Sequence, residues 1–148
     1  MEHHLFDFHH RLFIQIRFND VDGFGHINNA IYQEYFDLGR VDYIEKTLGP
    51  LFGAEDQHLV VVSNKTDFTR PLYLKDEIEV FTRIYRLGNK SLRMIQWLVK
   101  KGEETPRVTC DSVMVGFITT KEKGMVLPEV WRQRFNVFEK GRLIPDKD

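Results

Sequence analysis

The chain has 148 residues, 42% of them hydrophobic and 29% charged, and its 21 basic and 22 acidic side chains leave a formal net charge of −1. That length is ordinary for one domain with a sizeable core. The near-zero charge excludes the broad basic field of most nucleic-acid binders, and no apolar run approaches the roughly 18 residues that a membrane span needs.

The start, MEHHLFDFHH, lacks the basic and then continuously apolar layout of a secretory signal, which makes a cytoplasmic protein the expectation. His3, His4, His9 and His10 come in pairs without the cysteine or carboxylate set of a metal site, so no metal is expected, and the segment reads as a disordered terminus. Next, RLFIQIRF (residues 11–18) sets Leu12, Ile14 and Ile16 against Arg11, Phe13, Gln15 and Arg17, the period of two that predicts a strand. A helix follows. Asn29 is a natural N-cap, Tyr32, Tyr35, Phe36 and Tyr43 share one face with Glu34, Asp37 and Glu45 opposite, and Gly49-Pro50 marks the end. Gly39 sits in the apolar band, where a missing side chain permits close approach to a sheet at about 1 kcal/mol of helix propensity.

Four further strands are expected in HLVVVSNKTDF, DEIEVFTRIYRL, SLRMIQWLVK and RVTCDSVMVGFITT, all rich in β-branched and aromatic residues. The short GNK turn and the KGEETP connection make the last three antiparallel neighbours. Cys110, the single cysteine, can form no internal disulfide and reads as a small core residue. Pro128 near a helix start and apolar Val130, Trp131 and Phe135 predict a short helix within about 127–140. The whole is one α+β domain with its core over about 12–120, a long helix on one face of a five-stranded antiparallel sheet and a C-terminal helical extension. The other sheet face, or its edge, should seek a partner subunit.

The chemistry concentrates between the first strand and the helix, in NDVDGFGHINNAIYQEYFDLGR. Asp20, Asp22, Gly25, His26, Asn28, Asn29 and Tyr32 spell D-x-D-x-x-G-H-x-N-N-x-x-Y. That pattern, with the R-P of FTRPLYLKDEIEV, resembles the hotdog-fold acyl-CoA thioesterases of the 4-hydroxybenzoyl-CoA thioesterase type over about residues 14–120. The resemblance implies a tunnel at a dimer interface with the acyl-pantetheine thioester lying across the helix N-terminus. It also implies a homodimer or homotetramer and a substrate carried on coenzyme A or acyl carrier protein. Coenzyme A is then part of the substrate, and no cofactor is expected.

The residues support the same chemistry. Thioester hydrolysis needs a group that attacks the carbonyl or activates water, and donors for the resulting oxyanion. Backbone N–H groups around Asn29 and Ala30, at the positive end of the helix, are the expected donors. Asp22 can reach back across the turn made by Gly23 and Gly25, and it aligns with the family's catalytic carboxylate, nucleophile or general base. His26 either orients substrate or water or holds the turn; Asp20 is expected to bond loop amides. Asn28 and Asn29 cap the helix, with Asn28 and Tyr32 placed beside the substrate. Tyr32, Tyr35, Phe36 and the segment LFGAEDQHLVVVS are the expected tunnel walls. Asp37 and Arg40 read as an i, i+3 pair on a solvated face. Arg86, Lys90, Ser91 and Arg93, at the RLGNKSLR turn, are expected to hold the coenzyme phosphates. No G-x-S-x-G is present, which disfavours an α/β-hydrolase mechanism. The rival readings are a hotdog domain that binds acyl-CoA or acyl carrier protein without hydrolysis, and a hydratase or dehydratase.

Overall fold

The computed structural model describes residues 2–146. Strand β1 (His10–Ile14) buries His10 and Ile14 and exposes Arg11 and Phe13. It stops four residues short of the expected Phe18. The cause is Asp20, whose carboxylate accepts the Arg17 amide at 2.9 Å and the Tyr35 hydroxyl at 2.6 Å, drawing Phe18–Asp20 into a 3-10 turn. Helix α1 (Asn29–Thr47) follows, and Tyr32, Tyr35, Phe36 and Tyr43 are each no more than 2% exposed, as their spacing predicts.

The remaining strands are β2 (Gln57–Phe68), β3 (Ile78–Leu87), β4 (Ser91–Lys100) and β5 (Val108–Ile118), in the sheet order β1-β3-β4-β5-β2 with every neighbouring pair antiparallel. Two-residue strands extend it: β6 (Lys123–Gly124) pairs with β5, and β7 (Ile144–Pro145) pairs in parallel with β3. Between them lies the short helix α2 (Glu129–Phe138). The sheet curls around α1, the hotdog arrangement implied by the motif.

The inner core has two halves along α1. Tyr32, Tyr35 and Phe36 pack with Ile78, Val80, Leu98, Val108 and the buried Cys110, while Tyr43, Ile44 and Leu48 pack with Ile84, Met94, Trp131 and Phe135. Gly39 lies between the two halves, and a Cβ placed there would sit 2.7 Å from the Val80 side chain. The buried Gln96 ties helix to sheet at the same level, donating to the Phe36 carbonyl at 2.8 Å and to Thr82 Oγ1 at 3.0 Å.

Two expectations are corrected. The histidine-rich start is packed against the outer sheet face. Phe8 meets Trp97 at 5.0 Å and Phe81 at 6.0 Å and His3 meets Tyr85 edge-on at 5.0 Å, while buried His10, already in β1, turns inward and bonds Asp42 of α1 at 2.7 Å. Phe6 and Phe8 alternate with polar residues, and the aromatic cluster of β3 and β4 offers Phe8 a place to bury. That face is therefore partly covered by the chain itself, and among the described residues the sheet ends in two open edges, the outer sides of β1 and β2. Among those residues no three His, Cys, Asp or Glu side chains group as a metal would require. The second correction is Arg40. It pairs with Asp37 as the spacing implies, yet it is 5% exposed and donates to Ser112 Oγ at 3.1 Å. The curled sheet brings β5 over a helix position that, on a flat sheet, would face solvent.

A buried carboxyl lies beside β3, within hydrogen-bond reach of the Ile84 backbone. Glu139 is 1% exposed and accepts the Tyr43 hydroxyl at 2.6 Å. Burial pushes its carboxyl up to about 7, against the opposing pull of Tyr43 and Arg83. Because the folded state holds this proton more tightly than the unfolded chain, stability falls as pH rises from about 4.5 to about 7. Glu139→Gln is expected to flatten that limb and to stabilise the protein above pH 7 by up to about 3 kcal/mol. Thermal melts of both proteins at pH 5 and pH 8 check this, and equal shifts at the two pH values would refute it.

Candidate active site

The loop before α1 is built by backbone bonds rather than by a regular element. Asp22 N donates to the His26 carbonyl at 2.8 Å, Gly25 N to the Asp22 carbonyl at 3.0 Å, and Asn28 N to the Asp20 carbonyl at 2.9 Å. Gly25 takes φ +83°, a left-handed conformation that favours glycine. Ile27 N donates to the Leu72 carbonyl at 2.9 Å and His26 bridges to Tyr73, so the loop is stitched to residues some 45 positions later in the chain.

Asp20 anchors this from beneath. Burial opposes its ionisation, but the bonds from Tyr35 and Arg17 prevail and hold its carboxyl below the ordinary value. It is 1% exposed, as befits the structural member of the pair. Asp22, by contrast, is exposed. Its Oδ1 accepts from the Phe24 amide at 2.8 Å and the His26 amide at 3.2 Å, while Oδ2 has no partner among the described residues. One oxygen thus holds the turn and the other is available for chemistry.

The helix start differs from expectation by one residue. The N-cap is Asn28, whose Oδ1 accepts the Ala30 amide at 3.0 Å, and the Asn28 carbonyl takes the Ile31 amide at 2.9 Å. Ala30 is therefore spent on capping, because the side chain best placed to reach it precedes Asn29. The Asn29 N–H has no partner among the described residues, and it stands at the positive end of a 19-residue helix.

These groups meet in a cavity of about 510 Å³. Asp22, His26, Ile27, Asn28, Asn29 and Tyr32 line one side, and residues 68–71 line the other. His26 rests edge-on against Tyr73 at 5.1 Å. Tyr32 forms the floor: it is 2% exposed, packs on Phe68 at 5.6 Å, and its hydroxyl accepts the Leu72 amide at 3.3 Å. Of the other expected wall residues, Tyr35 is turned to Asp20, Phe36 is fully buried, and Leu51 and Phe52 pack against the cluster around Tyr43 and Trp131. None of these lines the cavity.

Arg86, Lys90 and Ser91 lie elsewhere, at the β3–β4 turn. A register shift between Ile84 and Arg86 turns Leu87 inward and Arg86 outward. Arg86 and Arg93 there share Asp146, at 3.8 and 3.1 Å. Conversely, Thr69 and Arg70 line the cavity with no role read for them from the sequence. Their signal was the R-P pair of the motif, whose place beside Asp22 depends on the Ile27–Leu72 bond.

Residues 16–135 match the family model for the Thioesterase-like superfamily. Over 111 residues the chain is 30% identical to YsmA of Bacillus subtilis (strain 168), covering 75% of this chain and 73% of that protein. A thioesterase of Thermus thermophilus, crystallised with coenzyme A and Zn, superposes with a TM-score of 0.79 at 30% identity, covering 90% of this chain and 96% of that one. The Staphylococcus aureus protein SAV2348, crystallised with CoA, shares the fold at a TM-score of 0.80 and 18% identity, with 90% and 85% covered. The chain belongs to the Thioesterase-like superfamily.

Proposed function

We propose that the protein is an acyl-CoA thioesterase of the 4-hydroxybenzoyl-CoA thioesterase type. The observation that carries this reading is one cavity lined by an exposed carboxylate, Asp22, and by the unpartnered Asn29 amide at a helix N-terminus. In the reaction, Asp22 either attacks the thioester carbonyl or takes a proton from attacking water. The C–S bond breaks, the coenzyme leaves as its thiol, and water supplies the second oxygen of the acid. The Asn29 N–H donates to the carbonyl oxygen as it becomes negative. His26 positions water or substrate, and Asn28 and Tyr32 shape the site around them. The coenzyme A bound in the Thermus relative supports a CoA ester as substrate. Lys90, Ser91 and Arg86 are assigned to the coenzyme phosphates in a dimer, where a second subunit completes the site.

The test is thiol release from short, long and aromatic acyl-CoAs by the purified protein. Release above the buffer rate from at least one class is expected. Tight CoA-ester binding without release from any would replace hydrolysis by a carrier role, and an acyl product hydrated without thiol release would indicate a hydratase. The open sheet edges, of which the 12-residue β2 is longer than the 5-residue β1, further favour a homodimer, joined edge to edge along β2, or a tetramer of two such dimers. Sedimentation at micromolar concentration is expected to show at least a dimer, and a stable, active monomer would contradict this. Among the described residues no helix is long and apolar enough to cross a membrane.

A further inference from the structure

We infer that Arg70 forms an anion-binding subsite of the cavity, which takes a phosphate or carboxylate group of the bound thioester. The inference rests on the thioester reading of that same cavity. Among the described residues, Arg70 is the one permanently charged cation that lines it. Its backbone is fixed, since the Thr69 and Arg70 amides both donate to the Arg107 carbonyl, at 3.0 and 3.2 Å. Its side chain is half-exposed and makes one long contact, 3.4 Å to Glu103 Oε2.

Glu103 is already engaged. Its two carboxylate oxygens accept from Arg107 Nη2 at 2.7 Å and Nε at 3.0 Å, a bidentate pair. Those bonds are the first cause that holds the Glu103 carboxyl below its ordinary value, and the charge of Arg70 contributes less. Arg107 is locked further by donating to the Pro71 carbonyl at 2.9 Å. Two guanidiniums therefore share the Glu103 carboxylate, while nearby Asp76 is held by Lys100 at 3.1 Å, and Arg70, the member with the weaker contacts, is the one at the cavity wall.

A solvated surface arginine would show the same exposure. What distinguishes Arg70 is a clamped backbone beside a cavity whose other wall carries Asp22 and the helix N-terminus. A thioester seated there with a carboxylate on its acyl part, or with its coenzyme phosphates folded back to the rim, would bring negative charge to that wall. The basic turn at Arg86 and Arg93 lies outside this cavity and meets the carboxylate of Asp146, so an anion site at Arg70 is separate from the one proposed at that turn.

The experiment compares wild type, Arg70→Gln and Arg70→Lys. KM is measured for an acyl-CoA, for the same acyl group on N-acetylcysteamine, which lacks phosphates, and for an N-acetylcysteamine ester whose acyl chain ends in a carboxylate. CoA affinity is measured by calorimetry, which reads the subsite even in a protein that hydrolyses nothing. Arg70→Gln is expected to raise the KM of at least one anionic substrate by about tenfold, with kcat changed much less, and Arg70→Lys to recover most of it. A rise confined to the acyl-CoA, with weaker CoA binding, assigns the anion to the coenzyme phosphates. A rise confined to the carboxylate-bearing ester assigns it to the acyl group. Unchanged KM and CoA affinity in a folded Arg70→Gln would overturn the inference. An equal rise for the neutral ester would also overturn it, since the arginine would then act only on the shape of the site.

Discussion

Asp22→Asn is expected to lower kcat for thioester hydrolysis by about 10²- to 10⁴-fold while acyl-CoA binding stays within a few-fold of wild type. The substitution removes charge and basicity but keeps an oxygen where Oδ1 now accepts the Phe24 and His26 amides at 2.8 and 3.2 Å. The loop should therefore keep its form, and the loss should appear in the chemical step. Asp20→Asn is the contrasting variant. It takes away a buried carboxylate that holds the Arg17 amide and the Tyr35 hydroxyl, so its main effect is on stability, by about 1–3 kcal/mol. Single-turnover thiol release, calorimetric binding and thermal melts on the two variants separate these outcomes. A folded Asp22→Asn protein with near-normal release would leave Asp22 as a turn residue, and His26, which lines the same cavity, would become the next candidate.

The second large effect is expected at Gly39. An added Cβ would lie 2.7 Å from Val80 Cγ1, 3.0 Å from Gln96 Nε2 and 3.1 Å from Thr82 Oγ1. Gln96 cannot retreat freely, because it already spans the Phe36 carbonyl and Thr82. Gly39→Ala gains about 1 kcal/mol of helix propensity, yet overpacking at this contact should outweigh it and leave a net loss of about 1–3 kcal/mol. Gly39→Val adds bulk against the same β3 and β4 side chains, and its loss should exceed about 3 kcal/mol. Denaturant unfolding of the two variants measures both. A Gly39→Ala protein more stable than wild type would show that α1 can lift from the sheet without cost.

Most of the architecture is legible in the chain because its signals are local. The spacing of Tyr32, Tyr35, Phe36 and Tyr43 specifies the buried helix face, and the GNK turn specifies the β3–β4 pairing. Gly39 is legible as a point of close approach because a glycine in an apolar helical band has few other uses. The first strand reads as too long because its alternation continues through Ile16, whereas the bonds that end it come from Asp20 and Tyr35, farther along the chain. The terminal histidines look unstructured for a related reason: Phe8 gains order from Phe81 and Trp97, which belong to other strands.

The candidate site divides along the same line. That Asp22, His26, Asn28 and Asn29 share one short loop follows from the residues alone, since twelve residues of turn chemistry ahead of a helix leave little freedom in where they meet. The different roles expected of Asp20 and Asp22 come from the resemblance to the thioesterase motif, and the burial of the first and exposure of the second fit them. Which helix amide stays unpartnered emerges only from the folded chain, because the choice between Asn28 and Asn29 as cap turns on a single 3.0 Å bond. Arg40 is buried only once the sheet has curled, because the curl sets what lies over the helix. Folding likewise carries Arg70 to the wall opposite Asp22 and Arg86 away from it, because the first depends on the long-range pairing of Ile27 with Leu72 and the second on a register shift in β3, and neither leaves a periodic trace in the chain.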